Sequence, residues 1–424
     1  MKDMEVEMIR ICILILAFIL TGCSSKKPEL TFMIGGTANE FSFWEKTIAD
    51  FTEKTGISVE LLRSATQTEQ RKQQILIALR GKQPDPDIVV MDIAWIGQMA
   101  RSGWLKDLFQ YQIDTSAFFS NIITLADIYN SGLIGVPLYV DAGILYYRTD
   151  LLAKYGYDGP PDTWDALVSM AKDIQEKERV QNPDFWGFVW QGAQYEGLVC
   201  TALEFFVSAG GGFFDSKGNP RINSRANTAA LGFMRDCIHT YGISPPNTYT
   251  DMKEEEVRLV FHNSNALFER NWPYAAKLHD TPEAPVNGKY AFGVLPHFKG
   301  HLSASALGGW HAGISAYSDR TEDAAEFIKF ITSRKVQQEL LTELGHNPGR
   351  KDIYSGAGAK TERLASLKDI FSSAVPRPTV PYYSQVSQVL QKYLNAGLAN
   401  SMEPSRALSE AQKEIERIKQ DYEN

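Results

Sequence analysis

Leu30-Thr-Phe-Met-Ile34 is a short apolar run that ends in Gly35-Gly36, and a helical pattern follows it over residues 41–54. The same order then repeats, because a strand is expected over 58–62, a helix after it, and a buried strand at Ile88-Val-Val-Met91. A strand–helix–strand rhythm of this kind predicts parallel sheets with helices on both faces. The chain is therefore expected to be an α/β protein.

The helix between the second and third strands has sequence signals at both ends. Thr66-Gln-Thr-Glu69 has the spacing of a capping box, in which the threonine bonds an N–H of the first turn and the glutamate reaches back. Gly81, directly after Arg80, marks the other end. Further helical patterns follow near 163–178, 195–209, 226–241, 321–334, 362–372 and 405–422.

Length and composition exclude several classes of protein. A chain of 424 residues suggests two or three units at about 150 residues per domain. Hydrophobic residues make up 44% and charged residues 22%, which argues against a disordered or multi-spanning membrane protein. The net charge is −8 without a basic stripe, so nucleic acid is not an expected partner. No Pro/Gly-rich linker divides the chain, which allows domains built from discontinuous segments.

The N-terminus carries a processing signal. Residues 11–20, ICILILAFIL, form an apolar run that is too short to span a bilayer and is typical of a signal-peptide core. Leu20-Thr-Gly-Cys23 resembles a bacterial lipobox. We therefore predict a signal peptide over 1–22, lipidation of Cys23, a polar tether over 23–28 and an extracytoplasmic, membrane-anchored location. A short buried strand ending at a chance cysteine is the alternative.

Charged and aromatic side chains gather near the ends of the expected strands, which is where open parallel α/β sheets bind ligands. Tyr139 and Asp141 are expected to follow a strand over 133–138. Trp272 and Tyr274 are expected to follow a strand over 266–268, and Gly308-Gly-Trp310 to precede one over 312–316. The other residues in such positions are Glu40, Asp92, Trp95 and Arg377.

Carboxylates, arginines and aromatic rings together are what binding of a neutral polyol requires. Charged groups bond sugar hydroxyls strongly, and flat rings pack on the apolar C–H faces of a sugar. No serine-hydrolase, zinc-protease or P-loop motif is present, and Pro296 and Gly300 argue against a helical metal site at His297 and His301. We therefore expect binding without catalysis, metal or cofactor. A glycoside hydrolase with paired carboxylates is the alternative.

Several long strings resemble one family, the extracellular solute-binding proteins that serve bacterial and archaeal ABC sugar importers. Within it the match is closest to the trehalose/maltose-binding proteins, and it runs from about Leu30 to the C-terminal helix. The strings are Ala65-Thr-Gln-Thr-Glu-Gln-Arg71, Asp87-Ile-Val-Val-Met-Asp-Ile-Ala-Trp95, Pro137-Leu-Tyr-Val-Asp-Ala-Gly143, Asn182-Pro-Asp-Phe-Trp-Gly-Phe-Val-Trp-Gln-Gly192, Tyr195-Glu-Gly-Leu-Val-Cys200, Ile243-Ser-Pro-Pro-Asn-Thr-Tyr249, Phe268-Glu-Arg-Asn-Trp-Pro-Tyr-Ala275 and Ala374-Val-Pro-Arg-Pro378.

The resemblance implies a two-lobe fold of the type II periplasmic-binding-protein kind, with discontinuous lobes joined by a hinge of several crossings. The N-terminal lobe would comprise 29–139 plus 296–343, and the C-terminal lobe 140–295 plus 344–424. It implies a monomeric receptor that captures an α-linked disaccharide, with trehalose or maltose first and sucrose as a possible relative, and delivers it to the permease subunits of an ABC importer. The implied sugar contacts are Glu40, Arg71, Asp92, Tyr139, Asp141, Trp272, Tyr274, Gly309, Trp310 and Arg377.

Overall fold

The computed structural model describes residues 29–215, 217–355 and 362–423. The predicted signal peptide and the whole predicted tether, with Cys23, lie outside the described residues. Within the described ranges, no helix has both the length and the apolar character needed to cross a bilayer. The described strands are β1 Leu30–Gly35, β2 Val59–Ser64, β3 Ile88–Asp92, β4 Ile128–Tyr129, β5 Gly132–Leu133, β6 Val136–Ala142, β7 Ile144–Arg148, β8 Trp186–Val189, β9 Ala266–Asn271, β10 Tyr290–Gly293, β11 Ala306–Ile314 and β12 Val375–Pro376.

The helices alternate with these strands through most of the chain, as the sequence predicts. They are α1 Ala38–Thr55, α2 Thr68–Arg80, α3 Ile96–Arg101, α4 Ser120–Ile122, α5 Thr149–Lys154, α6 Trp164–Glu178, α7 Glu196–Val207, α8 Arg225–His239, α9 Glu254–His262, α10 Ala275–His279, α11 Thr321–Ile331, α12 Arg334–Glu339, α13 Glu362–Ser373, α14 Tyr383–Leu398 and α15 Pro404–Glu423.

The first sheet has the strand order β12-β11-β3-β1-β2, and β6 pairs with the other edge of β11. β1 runs parallel to both β2 and β3, as the sequence predicts. The prediction of a parallel sheet is wrong for the pairing of β11 with β3 and β6, which is antiparallel, although β11 is parallel to β12. Parallel neighbours need a crossover connection, usually a helix. β11 instead enters from the second sheet through the loop after β10, with no helix between them.

The second sheet has the order β10-β7-β9-β8, and here too the parallel prediction is largely wrong. Only β8 and β9 are parallel, whereas β7 is antiparallel to both β9 and β10. Helices α14 and α15 pack against each other and against α8 on this side of the molecule. The two sheets and their helices form the two lobes of an α/β fold.

The chain passes directly from the first sheet to the second at Gly143, between β6 and β7. A Cβ atom at this position would lie 1.9 Å from Glu204 Oε1 and 2.5 Å from Arg270 Nη2, so only glycine fits. The chain returns between β10 and β11. First-sheet strands therefore lie in 30–142 and 306–376, and second-sheet strands in 144–293. The lobe limits given above stay a prediction.

Each lobe has its own aromatic core, which makes it a rigid support for the residues between the sheets. In the first, Phe32 contacts Trp44 and Phe327 edge to face at 5.4 and 5.2 Å between ring centres. In the second, Trp164 stacks on Phe205 at 4.0 Å. Cys200 and Cys237 are buried in helices of this lobe, and both thiols are free.

Candidate functional site

Glu40 lies in the first turn of α1 and is held from two sides. Its Oε2 accepts a hydrogen bond from the backbone N–H of Thr37 at 2.6 Å, and its Oε1 lies 3.1 Å from His346 Nε2. Burial raises the pKa of the Glu40 carboxyl, but His346 and the Thr37 hydrogen bonds outweigh burial, so that the pKa is lowered overall. Glu40 therefore presents an ionised, fixed carboxylate beside His346.

The capping box predicted at Thr66-Gln-Thr-Glu69 is wrong. The reciprocal pair is formed by Thr37 and Glu40 at the start of α1. Thr66 instead donates its hydroxyl to the carbonyl of Gly36 at 3.0 Å, and Gln67 precedes the first residue of α2. Both segments have the Thr-x-x-Glu spacing, and the pattern alone cannot tell which threonine lies at a helix end. The correction explains why Glu40 is rigid.

Arg71 and Trp310 form one wall of the candidate site. The Arg71 guanidinium lies 4.1 Å from the centre of the Trp310 ring, and Trp95 contacts that ring edge to face at 5.5 Å. Arg71 donates to the carbonyls of Ala65 and Thr66 at 3.1 and 3.3 Å, while its buried Nη1 has no hydrogen-bond partner among the described residues. A buried donor of this kind is costly unless something bonds it, so it is available for a ligand.

Arg377 joins two carboxylates that come from distant parts of the chain. Its Nη2 donates to Asp92 Oδ1 and its Nη1 to Glu196 Oε1, both at 2.8 Å. Asp92 also accepts the N–H of Ala94 at 2.8 Å. Burial lowers the pKa of Arg377, but Asp92 and the other acidic neighbours outweigh it and raise the pKa overall. Sequence reasoning missed Glu196, because an acid at the start of a helix usually only complements the helix dipole.

Strand β11 places three of the expected contacts in register. Trp310 pairs with Asp92 on β3 and with Tyr139 on β6, and a β-bulge separates it from His311. Tyr139 stacks on His346 with ring centres 4.3 Å apart and planes 6° apart. The predicted strand ends are wrong here: Tyr139 and Asp141 lie inside β6, and Gly309 and Trp310 inside β11. β6 and β11 extend beyond the predicted ends because they pair with each other as far as Ala142, directly before Gly143.

Gly309 is required by its backbone and by its surroundings. Its backbone φ of +134° is rarely adopted by residues that have a side chain. A Cβ atom there would also lie 2.7 Å from the carbonyl oxygen of Tyr139. One residue before it, Gly308 leaves room for the Trp272 ring, since a Cβ would lie 3.1 Å from a ring carbon of Trp272. Trp272, which follows β9 of the second sheet, therefore reaches the first sheet at this point.

Trp272 and Tyr274 follow β9 and extend the site from the second lobe. The Arg270 guanidinium lies 4.3 Å from the centre of the Trp272 ring, and the Trp272 indole N–H donates to Glu254 Oε1 at 3.4 Å. Tyr274 donates its hydroxyl to Glu255 Oε1 at 2.7 Å. Hydrogen bonds, ring contacts and strand pairings, some of them through His346, connect six of the ten predicted residues: Glu40, Arg71, Asp92, Tyr139, Trp310 and Arg377. Asp141 pairs with Gly308, which precedes Gly309 and lies beside the Trp272 ring. The side-chain hydrogen bond described for Tyr274 is to Glu255.

His346, Asn347, Glu196 and Glu254 complete the surroundings of the site and were missed by sequence reasoning. His346 and Asn347 lie in a loop between β11 and β12, with Asn347 Nδ2 3.5 Å from Asp141 Oδ1. Nothing in their local sequence marks them, because their partners are far away in the chain. Among the residues that the structure describes, no three His, Cys, Asp or Glu side chains are grouped to hold a metal ion.

We expect Asp141 to make stability depend on pH. Burial raises the pKa of its carboxyl to about 6, whereas an unfolded aspartate has a pKa of about 3.9. The folded state therefore binds more protons between these values, and the free energy of unfolding falls as the pH rises through this window, by up to about 3 kcal/mol. Chemical unfolding of the parent and of Asp141→Asn between pH 4 and 7 measures this. The expectation is contradicted if the difference in free energy of unfolding between the parent and Asp141→Asn does not change with pH.

Comparison with known proteins places the chain in a family. The model of the family described as "Bacterial extracellular solute-binding protein" matches residues 35–338. A "Probable ABC transporter-binding protein" of Deinococcus radiodurans is 34% identical over 398 residues, which cover 92% of this chain and 93% of that protein. The maltose-bound MalE3 protein of T. maritima is 36% identical with a TM-score of 0.84, covering 92% of this chain and 99% of that one.

A second solved structure supports the same fold. The solute-binding protein of Thermotoga lettingae bound to α-D-tagatose is 26% identical with a TM-score of 0.83, and covers 92% of this chain and 100% of that chain. These likenesses confirm the predicted two-lobe α/β fold of the periplasmic sugar-binding type. Because the family model covers most of the chain, this protein belongs to the bacterial extracellular solute-binding proteins, which are binding proteins of ABC transporters rather than enzymes.

Proposed function

We propose that this protein is the lipid-anchored, monomeric receptor of an ABC sugar importer and that it captures an α-linked disaccharide, maltose or trehalose before others. The ten residues predicted above are its proposed sugar contacts. The likeness to a maltose-bound protein at 36% identity supports the choice of sugar. Capture occurs outside the cytoplasm, and the permease subunits receive the closed, loaded form.

One observation carries the proposal: two half-buried tryptophans from different lobes each have an arginine near the ring. Trp310 has Arg71 at 4.1 Å, and Trp272 has Arg270 at 4.3 Å. The part of each tryptophan ring that the arginine does not cover can pack on a sugar ring. The carboxylates of Glu40, Asp92 and Asp141 are the proposed partners of the sugar hydroxyls. Two stacked rings and a few charge-assisted hydrogen bonds can supply the roughly −8 kcal/mol of micromolar affinity.

Calorimetry of the purified protein against a panel of solutes tests the proposed function. The panel contains maltose, trehalose, sucrose, tagatose, mannitol, an amino acid and a peptide. We expect saturable binding of maltose or trehalose and weaker binding of the monosaccharide and the polyol. Binding of only the amino acid or the peptide would contradict the proposal. So would sustained hydrolysis of maltose that a single carboxylate substitution abolishes.

We expect the protein to become more compact when the sugar binds. The proposed contacts come from both sheets, so tight binding needs both lobes and shifts an open–closed equilibrium toward the closed form. Small-angle X-ray scattering should show a smaller radius of gyration at saturating maltose than without it. The control is Trp310→Ala at a maltose concentration that saturates the parent but not the variant, and it should not contract. An unchanged radius in the saturated parent would mean that the hinge mechanism is wrong.

Cys23→Ala should release the protein from the membrane or leave it unprocessed. Cleavage after Gly22 and acylation of Cys23 would give the mature protein more than one acyl chain, and multiple chains anchor stably where a single one is marginal. Fractionation of cells expressing the parent and the variant, followed by mass measurement, checks this. The lipobox interpretation is wrong if the variant has the mature size and stays in the membrane fraction.

A further inference from the structure

The Trp272 side chain and backbone are held by four separate groups. Its backbone N–H donates to Asn271 Oδ1 at 2.8 Å, and its carbonyl accepts the hydroxyl of Tyr146 at 2.9 Å. Its indole N–H donates to Glu254 Oε1 at 3.4 Å, and Arg270 lies 4.3 Å from the ring centre. Together these contacts fix both where the ring lies and how it is rotated.

Asn271 connects two of these groups, since it also reaches the start of α9. Its Nδ2 donates to the carbonyl of Glu254 at 3.2 Å and to Glu269 Oε1 at 2.6 Å. Glu269 Oε2 in turn lies 2.9 Å from His279 Nε2. Asn271, Glu269 and His279 are all fully buried. The side-chain polar atoms of Asn271 and Glu269 are all hydrogen-bonded, whereas His279 Nδ1 has no partner among the described residues. Buried polar groups whose hydrogen bonds are made rigidify their surroundings, so the bonds of Asn271 and Glu269 hold Trp272 in place relative to Glu254.

We infer that Glu254 and Asn271 are positioning residues for the sugar-stacking ring of Trp272: Glu254 sets the rotation of the ring through the indole N–H, and Asn271 sets the position of the backbone that carries it. The inference rests on the proposed function, in which Trp272 contacts the sugar. A ring that must be ordered on binding costs affinity, and a ring already ordered does not. Neither residue needs to touch the sugar for this effect.

A double-mutant cycle between Glu254 and the indole N–H tests the role of Glu254. Trp272→Phe keeps an aromatic ring but removes the donor. With maltose as the probe, we expect Glu254→Ala to weaken binding about tenfold in the parent, the size of one lost hydrogen bond. It should have no further effect in the Trp272→Phe background. Glu254→Gln keeps the acceptor oxygen and should bind within about twofold of the parent. The exposed neighbour substitution Glu256→Ala is the control and should leave the affinity unchanged.

Direct contact between Glu254 and the sugar predicts different results. Glu254→Ala would then weaken maltose binding equally in both backgrounds, and Glu254→Gln would be as weak as Glu254→Ala because the charge is lost. Either result overturns the inference. The inference is also overturned if Glu254→Ala binds maltose as tightly as the parent while Trp272→Ala binds it weakly.

Asn227 provides a matched control for Asn271. It is also a fully buried asparagine of the second lobe, and it bonds the backbone of Gly212, Arg221 and Ile222 away from the site. Asn271→Ala and Asn227→Ala should both lower the melting temperature, but only Asn271→Ala should weaken maltose binding, by about tenfold. Equal affinities for the two variants would overturn the role of Asn271.

A measurement without sugar separates this inference from the proposed function. The indole N–H resonance of Trp272 is the one missing from the NMR spectrum of Trp272→Phe. It should shift in Glu254→Ala and move much less in Glu254→Gln. If the resonance shifts as expected but Trp272→Ala binds maltose as well as the parent, the proposed role of Trp272 in sugar binding is wrong. The positioning of the ring by Glu254 is then still supported. If the resonance does not shift, the inference fails whatever the sugar affinity.

Discussion

Trp310→Ala is expected to weaken maltose binding by about 2–4 kcal/mol, or roughly 30-fold to 1,000-fold in Kd. Trp310 lies at the centre of the candidate site, paired with Asp92 on one side and Tyr139 on the other. Its loss removes the stacking surface and leaves the buried Arg71 guanidinium without the ring it contacts. Trp272→Ala should have an effect of similar size from the opposite lobe. Calorimetry with maltose measures both.

Trp186 offers a matched control for Trp310. It is also a half-buried tryptophan with an arginine near its ring, since Arg179 lies 4.3 Å from the ring centre. It begins β8 and pairs with Ala266 at the start of β9, the opposite end of that strand from Trp272. Trp186→Ala should lower stability without changing the Kd for maltose. If Trp186→Ala and Trp310→Ala weaken binding equally, the effect is a general loss of structure, and Trp310 is not a sugar contact.

Arg270→Met is expected to lower the free energy of unfolding by about 3–5 kcal/mol. Arg270 and Glu204 form a two-pronged ion pair at 2.5 and 2.8 Å, and neither side chain is more than 1% exposed. Arg270 also donates to Gln191 Oε1 at 3.1 Å. Removal of the cation leaves a carboxylate buried without its partner, which costs more than the ion pair itself is worth. Urea unfolding followed by circular dichroism measures the loss.

The double variant Arg270→Met/Glu204→Leu tests whether the buried charge is the cause. It removes both charges and fills the space with apolar side chains, so most of the lost stability should return. The hydrogen bond from the backbone of Ala306 to Glu204 Oε1, at 3.1 Å, is then missing. The recovery is therefore expected to be incomplete. A double variant as unstable as Arg270→Met would show that the packing of Arg270, not the unpaired charge, is what matters.

The sequence alone predicted the parts of this protein that depend on neighbouring residues. The alternation of apolar strands and amphipathic helices up to β3, and the helices after it, follow from side-chain periodicity, which a short window of sequence contains. Asp92 and Glu40 were predicted from their positions after strands. Arg71 was predicted only through the resemblance to a family, because a single arginine on a helix is otherwise expected to face solvent.

Tertiary structure decided which of these residues meet and how the strands run. Arg377 and Asp92 are 285 positions apart and bond at 2.8 Å. Glu196, which completes that arrangement, carries no local signal. Gly309 and Trp310 lie inside β11 rather than before it, because β11 pairs with β3 and β6 along its length. Strand direction and register are set by these long-range hydrogen bonds, and a short window of sequence contains only one of the two partners in each.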